Sequence, residues 1–309
     1  MKLCFVFPGQ GSQYVGMGKE ISENFSEARQ VFEEASDTLG YDVADIAFNG
    51  PSDELNKTFR TQPCILTASI AVQRILTAEG ISPAVVAGHS LGEYSALVAA
   101  GVLPFRDAVG LTEKRGQFMQ EAVPEGKGLM AAILGLPRNK VDEICLSLRS
   151  GYASPANYNC PGQIVLAGEK GAVEEAITLA KEAGAKRAVP LAVSVPSHCT
   201  LMADASKRLA QLLEGIEFAN PMIPLVNNAD AMFLNNTMSI KGSLVRQLSS
   251  PLLWEDSIRV IADSGVETFV EVGPGKVLSG LIKRIEDRAK TSNVEDMKSL
   301  KKTLEALRS

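Results

Sequence analysis

The feature that most constrains this chain is a serine placed between glycines, at a point where a predicted strand gives way to a predicted helix. Ser90 is the middle residue of Gly88-His89-Ser90-Leu91-Gly92, which has the G-x-S-x-G form of a nucleophile elbow. The apolar segment 81–87 before it predicts a short buried strand, and 93–100 after it predicts a helix. Flanking glycines permit the tight turn. We therefore expect the hydroxyl of Ser90 at the top of a sheet, beside the unpaired N–H groups of a new helix.

Short buried strands alternate with helical patterns along most of the chain, which is typical of a parallel α/β sheet. Further strands are predicted at Leu3–Phe7 and at 223–226 and 267–272, and helices at 16–39, within 50–80 and near 243–248. Between residues 126 and 195 the order becomes β-α-β-β-α-β, the ferredoxin-like pattern. The sequence thus predicts an α/β fold, with a large domain at 1–125 and 196–309 and an inserted ferredoxin-like small domain at 126–195. After about Asp287 we expect only a loosely packed helix.

Composition excludes several functional classes. The net charge of −5 argues against wholesale nucleic-acid binding, and no apolar run reaches the roughly 18 residues that a membrane span needs. The start of the chain lacks the pattern of a signal peptide, so we expect a cytoplasmic protein. The five cysteines are scattered without a C-x-x-C pair, which argues against a disulfide framework and a metal site.

A serine hydroxyl is a weak nucleophile and needs a general base. The chain has two histidines, His89 and His198. His198 is the natural candidate, whereas His89 is expected to shape the elbow as a packed neighbour of Ser90. Cys199 adjoins His198, but successive residues of an extended segment point in opposite directions, so we do not expect Cys199 to be the nucleophile.

Two glycine-containing turns and one basic region allow more than one interpretation. The turn at 8–13 lacks the spacing of a dinucleotide loop and fits a strand-to-helix loop that offers backbone N–H groups to an anion. The turn at 273–276 resembles a fragment of a phosphate loop, although a structural turn is favoured. The C-terminal cations indicate either a solvated helical face or a patch for an acidic partner: Lys283, Arg284, Arg288, Lys290, Lys298, Lys301 and Lys302.

Several separate motifs, taken in order, resemble the bacterial malonyl-CoA:acyl carrier protein transacylase family of type II fatty acid synthesis. In an α/β-hydrolase the histidine follows an acid near the C-terminus, whereas here 111 residues follow His198. The resemblance extends from the first strand to about residue 285. It is carried by the sequence segments 7–13, 61–63, 88–93, 115–120, 157–163, 195–198, 245–248 and 271–276.

The resemblance implies a hydrolase-like large domain and transfer of a malonyl group from malonyl-CoA to acyl carrier protein by a ping-pong cycle, with no cofactor. It implies Ser90 as nucleophile and His198 as base, with the backbone N–H groups of Gln10 and Leu91 as the oxyanion hole. Arg115 would hold the malonyl carboxylate, because guanidinium presents a planar fork to two oxygens. The resemblance also implies that Gln247 lies near the carbonyl that orients His198. It implies four residues in the substrate cleft: Gln62, His89, Asn157 and Gln163. Lys283 and Arg284 would belong to a basic surface for the carrier protein.

Two other functions use the same residues. A thioesterase or esterase would employ Ser90 and His198 but release the acyl group to water. A catalytically silent module would bind carrier protein without forming an acyl-enzyme. Taken alone, Arg115 on a predicted helix would be a solvated surface charge, and only the resemblance favours its role as a carboxylate clamp.

Overall fold

The computed structural model describes residues 2–191 and 195–308. The first part of the chain alternates two strands with helices. Its elements are β1 (Leu3–Phe7), α1 (Lys19–Asn24), α2 (Ser26–Leu39), α3 (Val43–Asn49), α4 (Ser52–Leu55), α5 (Thr58–Ala78), β2 (Val85–Gly88), α6 (Gly92–Ala99) and α7 (Phe105–Ala122).

The middle part has the six-element order that the sequence predicts. Its elements are β3 (Gly128–Leu134), α8 (Arg138–Ser147), β4 (Ala153–Cys160), β5 (Gln163–Glu169), α9 (Lys170–Glu182) and β6 (Arg187–Pro190). The last part begins with a 3-10 turn at Thr200–Met202. It continues with α10 (Ala203–Glu214), β7 (Leu225–Val226), β8 (Phe233–Leu234), α11 (Thr237–Ser249), α12 (Trp254–Asp263), β9 (Thr268–Val272), α13 (Val277–Ile285), β10 (Lys290–Val294) and α14 (Met297–Arg308).

The larger sheet has the strand order β10-β9-β1-β2-β7-β8. All its neighbouring strands run parallel except β8, which is antiparallel to β7 at one edge. β1 and β2 are buried along their whole length, as expected for parallel strands covered by helices on both faces. The predicted α/β class with a parallel sheet is confirmed.

The smaller sheet is antiparallel, with strand order β4-β5-β3-β6. Its helices α8 and α9 bury Val141, Ile144 and Val173 against the strands, and the predicted ferredoxin-like order is confirmed. Backbone hydrogen bonds between Leu252 and the β4 residues Ala156 and Tyr158 join this sheet to the segment before α12. The proposed domain limits stay predictions, and residues 192–194, beside the limit at 195/196, lie outside the described residues.

The chain after Asp287 corrects the expectation of a loosely packed helix. β10 extends the parallel sheet beside β9, and Leu300 of α14 is 3% exposed within the main core. Pattern alone missed β10, because only Val294 of its five residues is buried. The predicted helix at 16–39 is also two helices, separated by the extended residue Phe25.

Two further elements differ from the predicted bounds. The helix expected near 243–248 begins at Thr237, where the side chain of Asn236 accepts a hydrogen bond from the N–H of Ser239 and caps the helix. The strand expected at 223–226 is limited to β7, Leu225–Val226. Within the described residues, no helix is both long enough and apolar enough to cross a membrane.

Candidate active site

The turn between β2 and α6 holds Ser90 in a left-handed conformation, with φ of 52°. Its close packing explains the glycines around it. A Cβ atom on Gly88 would overlap the backbone of Gly92, and one on Gly92 would overlap the carbonyl group of Phe7 at the end of β1. The backbone N–H of Ser90 donates to Asn228 Oδ1 at 2.7 Å. The motif therefore forms the strained strand-to-helix turn that exposes a nucleophile.

His198 lies beside the hydroxyl of Ser90, with Nε2 2.8 Å from Oγ. Its Nδ1 is 2.7 Å from the main-chain oxygen of Gln247. Because a carbonyl oxygen only accepts hydrogen bonds, Nδ1 carries the proton and Nε2 is free to accept one from Ser90. Burial and the nearby charge of Arg115 lower the pKa of His198 to about 3. The imidazole is thus neutral at physiological pH and available as a base.

Arg115 of α7 is 1% exposed, so the surface position that its helix alone would favour is wrong. Its guanidinium donates to Gln62 Oε1 at 2.8 Å, to Gln247 Oε1 at 2.9 Å and to Ser90 Oγ at 3.2 Å. The ring of Tyr94 lies 5.4 Å away, measured from Cζ of Arg115 to the ring centroid. A fixed cation therefore lies within hydrogen-bond distance of the candidate nucleophile.

Two residues that the sequence did not single out, Glu93 and Asn228, complete the network below Ser90. Asn228 Nδ2 donates to the oxygen of Gly88, so this side chain holds both ends of the turn. Glu93 is fully buried, and its Oε2 accepts from the N–H of Asn228 at 3.0 Å and from Gln247 Nε2 at 2.8 Å. Glu93 lies in the motif region, but nothing in the sequence marks Asn228, 138 residues from Ser90.

A cleft of about 230 Å³ opens above the serine–histidine pair. The predicted residues Gln10, His89, Asn157 and Gln163 line it together with Ser90 and His198. Other lining residues come from the loop after β1, from α7, from the smaller sheet and the segments after it, and from α13: Pro8, Gly9, Gly11, Ser12, Met119, Met130, Asn159, Val165, Leu191, Val195, Ser197, Val277, Leu278 and Leu281.

Gln62 was predicted to lie in the cleft, but it is not among the residues that line it. It belongs to helix α5. It is fully buried behind Arg115, where its Nε2 also contacts Met119 Sδ at 3.4 Å. Gln62 therefore contacts the guanidinium and does not line the cleft. Met119 of α7 does line the cleft.

Gln10 lies three residues after the end of β1 and lines the same cleft as Ser90, and Leu91 directly follows Ser90 in the turn after β2. Among the residues that the structure describes, no hydrogen-bond partner is found for the backbone N–H of either residue. Leu91 directly precedes α6, where N–H groups carry the positive end of the helix dipole. Two free donors beside a nucleophile are what an oxyanion hole requires.

The other predicted residues connect the two sheets around the cleft. His89 Nε2 is 2.9 Å from Asn159 Oδ1 of β4, and its ring packs edge-on against Trp254 at 5.4 Å. This agrees with the expectation of a packed neighbour. Gln163 Oε1 accepts a hydrogen bond from Nη1 of Arg284 at 2.7 Å, and Nη2 of Arg284 donates to the main-chain oxygen of Pro161.

Neither cysteine nor metal chemistry finds support at this site. Cys199 is buried beside His198, its Sγ donates to the oxygen of Pro196, and burial raises the pKa of its thiol to about 11. Over residues 2–191 and 195–308, no group of three or more His, Cys, Asp or Glu side chains could hold a metal ion. The cleft instead has the Ser90 hydroxyl and the neutral imidazole of His198 at its surface, with the buried guanidinium of Arg115 hydrogen-bonded to the same hydroxyl.

A left-handed serine at a strand-to-helix turn, an imidazole hydrogen-bonded to it and two free N–H donors define an α/β enzyme that forms acyl-serine intermediates. Known proteins refine this class. The acyl transferase domain family matches residues 4–304. A curated malonyl CoA-acyl carrier protein transacylase of Salmonella typhimurium is 52% identical over 305 residues, covering 98% of this chain and 99% of the relative.

Two solved structures have the same fold throughout. One is the malonyl CoA-acyl carrier protein transacylase of Coxiella burnetii, with TM-score 0.98, 42% identity and coverage of 100% of this chain and 98% of the other. The second is a malonyl-transacylase in complex with a type II PKS acyl-carrier protein, with TM-score 0.97, 49% identity and coverage of 99% and 100%. The chain therefore belongs to the malonyl CoA-acyl carrier protein transacylase family of acyl transferases, and the predicted resemblance is confirmed.

Proposed function

We propose that this protein transfers a malonyl group from malonyl-CoA to the phosphopantetheine thiol of acyl carrier protein, through a malonyl ester on Ser90, and so supplies malonyl units for fatty acid synthesis. The observation that carries the proposal is the buried guanidinium of Arg115, 3.2 Å from the hydroxyl of Ser90. A cation so near the nucleophile suits an acyl group that ends in a carboxylate. Relatives about half identical over nearly the whole chain carry the matching name.

In the first half of the cycle, Ser90 Oγ attacks the thioester carbonyl while His198 Nε2 takes the hydroxyl proton. The oxygen of the tetrahedral intermediate becomes an oxyanion, which accepts hydrogen bonds from the backbone N–H groups of Gln10 and Leu91. The C–S bond then breaks. The proton held by His198 passes to the departing sulfur, so CoA leaves as a thiol and Ser90 carries the malonyl ester.

Arg115 selects the acyl group. Its guanidinium is held by Gln62 and Gln247 and keeps its charge at any working pH. Malonate offers it a carboxylate to accept hydrogen bonds, whereas an acetyl group would leave the buried cation without a full set of partners. Leaving such a group unpaired is costly, so malonyl is favoured over acetyl.

In the second half, the carrier protein thiol gives its proton to His198 and attacks the ester carbonyl. The C–O bond to Ser90 breaks, and the serine oxygen recovers the proton from His198. The main-chain oxygen of Gln247 keeps the imidazole in the tautomer that both halves need. Malonyl-CoA is a substrate, and the cycle requires no cofactor.

The carrier protein approaches the cleft over a basic surface that includes Lys283 and Arg284 at the end of α13. Because Arg284 also bonds to Gln163 and Pro161, Lys283→Glu is the cleaner variant. We expect it to raise KM for carrier protein and its sensitivity to salt, while Lys207→Glu on α10 serves as a control with the same change of charge. Unchanged KM for Lys283→Glu would contradict this surface. The cytoplasmic location expected from the sequence stays a prediction.

The test of the function is the intact mass of the protein after brief mixing with malonyl-CoA or acetyl-CoA, for the native chain and for Ser90→Ala. We expect a malonyl adduct on the native chain only, and its discharge by added holo-carrier protein. Release of malonate to water without a thiol acceptor would indicate a hydrolase. An absence of any adduct would indicate a silent binding module, and preferred labelling by acetyl would overturn the role of Arg115.

A further inference from the structure

Among the described residues, no carboxylate is hydrogen-bonded to the imidazole of the serine–histidine pair, yet a buried carboxylate lies two hydrogen bonds away. In a Ser-His-Asp triad the acid accepts from Nδ1 and stabilises the imidazolium that forms during acylation. Here a main-chain oxygen, that of Gln247, takes this position. Glu93 belongs to the first turn of α6, three residues after Ser90, and is fully buried.

Gln247 connects this carboxylate to Ser90, Arg115 and His198. Its Nε2 donates to Glu93 Oε2 at 2.8 Å and to the oxygen of Ser90 at 3.1 Å. Its Oε1 accepts from Arg115, and its main-chain oxygen lies 2.7 Å from Nδ1 of His198. Because Glu93 only accepts from this amide, it fixes which end of the amide faces Arg115.

Acylation creates an electrostatic problem that a main-chain carbonyl alone does not solve. His198 must accept a proton although Arg115, a permanent cation, donates to the same serine hydroxyl. Burial and this charge both disfavour the imidazolium, as the lowered pKa of His198 shows. A buried negative charge on the far side of Gln247 would oppose both effects.

The charged and titratable groups that act on Glu93 come from three elements around it. Arg115 of α7 is the cation, and its charge lowers the pKa of Glu93. Asp230, in the segment after β7, acts in the opposite direction, but it is already paired with Arg246 and Asn227. Tyr94, the next residue of α6, stays protonated because burial raises the pKa of its phenol to about 12.

Burial of the Glu93 carboxylate is energetically unfavourable, which suggests that this residue has a function in the site. Its Oε1 has no hydrogen-bond partner among the described residues, and an uncompensated buried charge costs several kcal/mol. We propose that Glu93 is a positioning residue which, through Gln247, supplies the negative charge that balances Arg115 and stabilises the imidazolium of His198 during acylation. The inference rests on the proposed malonyl transfer.

The test compares Glu93→Gln with a matched control, Glu271→Gln. An amide oxygen in place of Oε2 can still accept from Asn228 and Gln247, so Glu93→Gln removes the charge and keeps the shape. Glu271 of β9 is equally buried and accepts from two backbone N–H groups of α13, and it contacts neither Ser90 nor His198. The rate of malonyl-Ser90 formation is followed by quenched flow and intact mass, with the melting temperature measured alongside.

We expect Glu93→Gln to lower this rate constant by up to roughly tenfold, because an opposite charge in contact shifts a pKa by about 1–3 units and Glu93 acts on His198 from the far side of Gln247. KM for malonyl-CoA should not rise, because Arg115 keeps its charge and loses a competing anion. Glu271→Gln should change the melting temperature and keep the native rate. A native rate in Glu93→Gln, or an equal loss in both variants, would overturn the proposal.

The pH profile separates charge from structure. Burial raises the pKa of Glu93 to about 7, and the proposed active form is ionised, so the native acylation rate should rise with pH around 7. The lowered pKa of His198 places its own titration well below that range. The rise should vanish in Glu93→Gln, and its persistence there would refute the assignment.

Even if Glu93→Gln does not fold, the native protein still tests the proposal, because an ionising Glu93 requires the acylation rate to rise with pH, and a flat native profile between about pH 5 and 8 would contradict it. Failure of malonyl transfer and failure of the role of Glu93 give different results. If the native chain forms no malonyl adduct, the proposed function fails and the inference falls with it. If the native chain forms the adduct and Glu93→Gln forms it equally fast, only the inference fails.

Discussion

Replacing Arg115 with methionine should invert the preference between malonyl-CoA and acetyl-CoA. Methionine fills a similar volume without charge or donors. In the native site Nη1 of the guanidinium donates to Gln62, and Nη2 donates to Gln247 and, at 3.2 Å, to Ser90 Oγ. Its Nε–H has no partner among the described residues. The Nε edge and the Nη2 group shared with Ser90 are thus the donors that a malonyl carboxylate can take.

Two charge-assisted hydrogen bonds contribute about 1.5–3 kcal/mol each, so their loss is worth at least about 3 kcal/mol. At about 1.4 kcal/mol per tenfold change, kcat/KM for malonyl-CoA should fall by roughly two orders of magnitude or more. Acetyl-CoA has no carboxylate to lose, and its kcat/KM should stay near the native value or rise. The assay is acyl-Ser90 formation from each donor, measured by intact mass over a range of donor concentrations.

Controls separate selectivity from damage to the fold. Arg115→Lys keeps the charge but offers a point instead of a fork, so it should retain part of the malonyl preference. Arg60→Met removes a half-buried arginine of α5 that pairs with Glu54 and Glu113, and it should lower stability without altering the ratio of the two donors. If Arg115→Met lowered kcat/KM equally for malonyl-CoA and acetyl-CoA while the melting temperature stayed unchanged, the role of Arg115 as the carboxylate clamp would be refuted.

Three further substitutions test the packing of the site. Gly9→Ala would place a Cβ atom against the carbonyl oxygen of His89, so it should displace the first loop and lower the acylation rate more than stability; a native rate would contradict this. Cys199→Ala should leave acylation intact, because the thiol is buried with a pKa raised to about 11; loss of the adduct would revive a cysteine nucleophile. Leu300→Ala should lower the free energy of unfolding by about 2–5 kcal/mol, the range for buried leucines, whereas a change below 1 kcal/mol in denaturant melts would indicate the loose tail first expected.

The sequence predicted those parts of the fold in which local pattern and tertiary environment agree. β1 and β2 are continuous apolar strands. The elbow at Ser90 follows β2 and contains glycines that the close packing of the turn requires. β10 was missed because it is polar at four of five positions and is fixed by its pairing with β9 and not by its own hydrophobicity. Edge strands of this kind are specified by their neighbours.

The site was predictable to the extent that motif residues carry it. Ser90 and His198 followed from the elbow and from the rarity of histidine, whereas the burial of Arg115 did not follow from its helix, since a lone arginine is normally exposed. Asn228 could not be found, because its contacts with Gly88 and Ser90 arise from the pairing of β7 with β2. Contacts between distant segments appear only once the sheet order is known.

Both members of the candidate pair have left-handed backbones, with φ of 52° at Ser90 and 61° at His198. Such conformations cost of order 1–3 kcal/mol for residues other than glycine, so the surrounding structure must hold each one. It does so through the backbone, since the N–H of Ser90 donates to Asn228 and the N–H of His198 donates to the oxygen of Leu248. Leu248 follows Gln247, whose oxygen faces Nδ1 of the same histidine. The end of α11 therefore fixes the backbone and the ring of His198 together, which lets a main-chain carbonyl orient the base while the charge comes from Glu93.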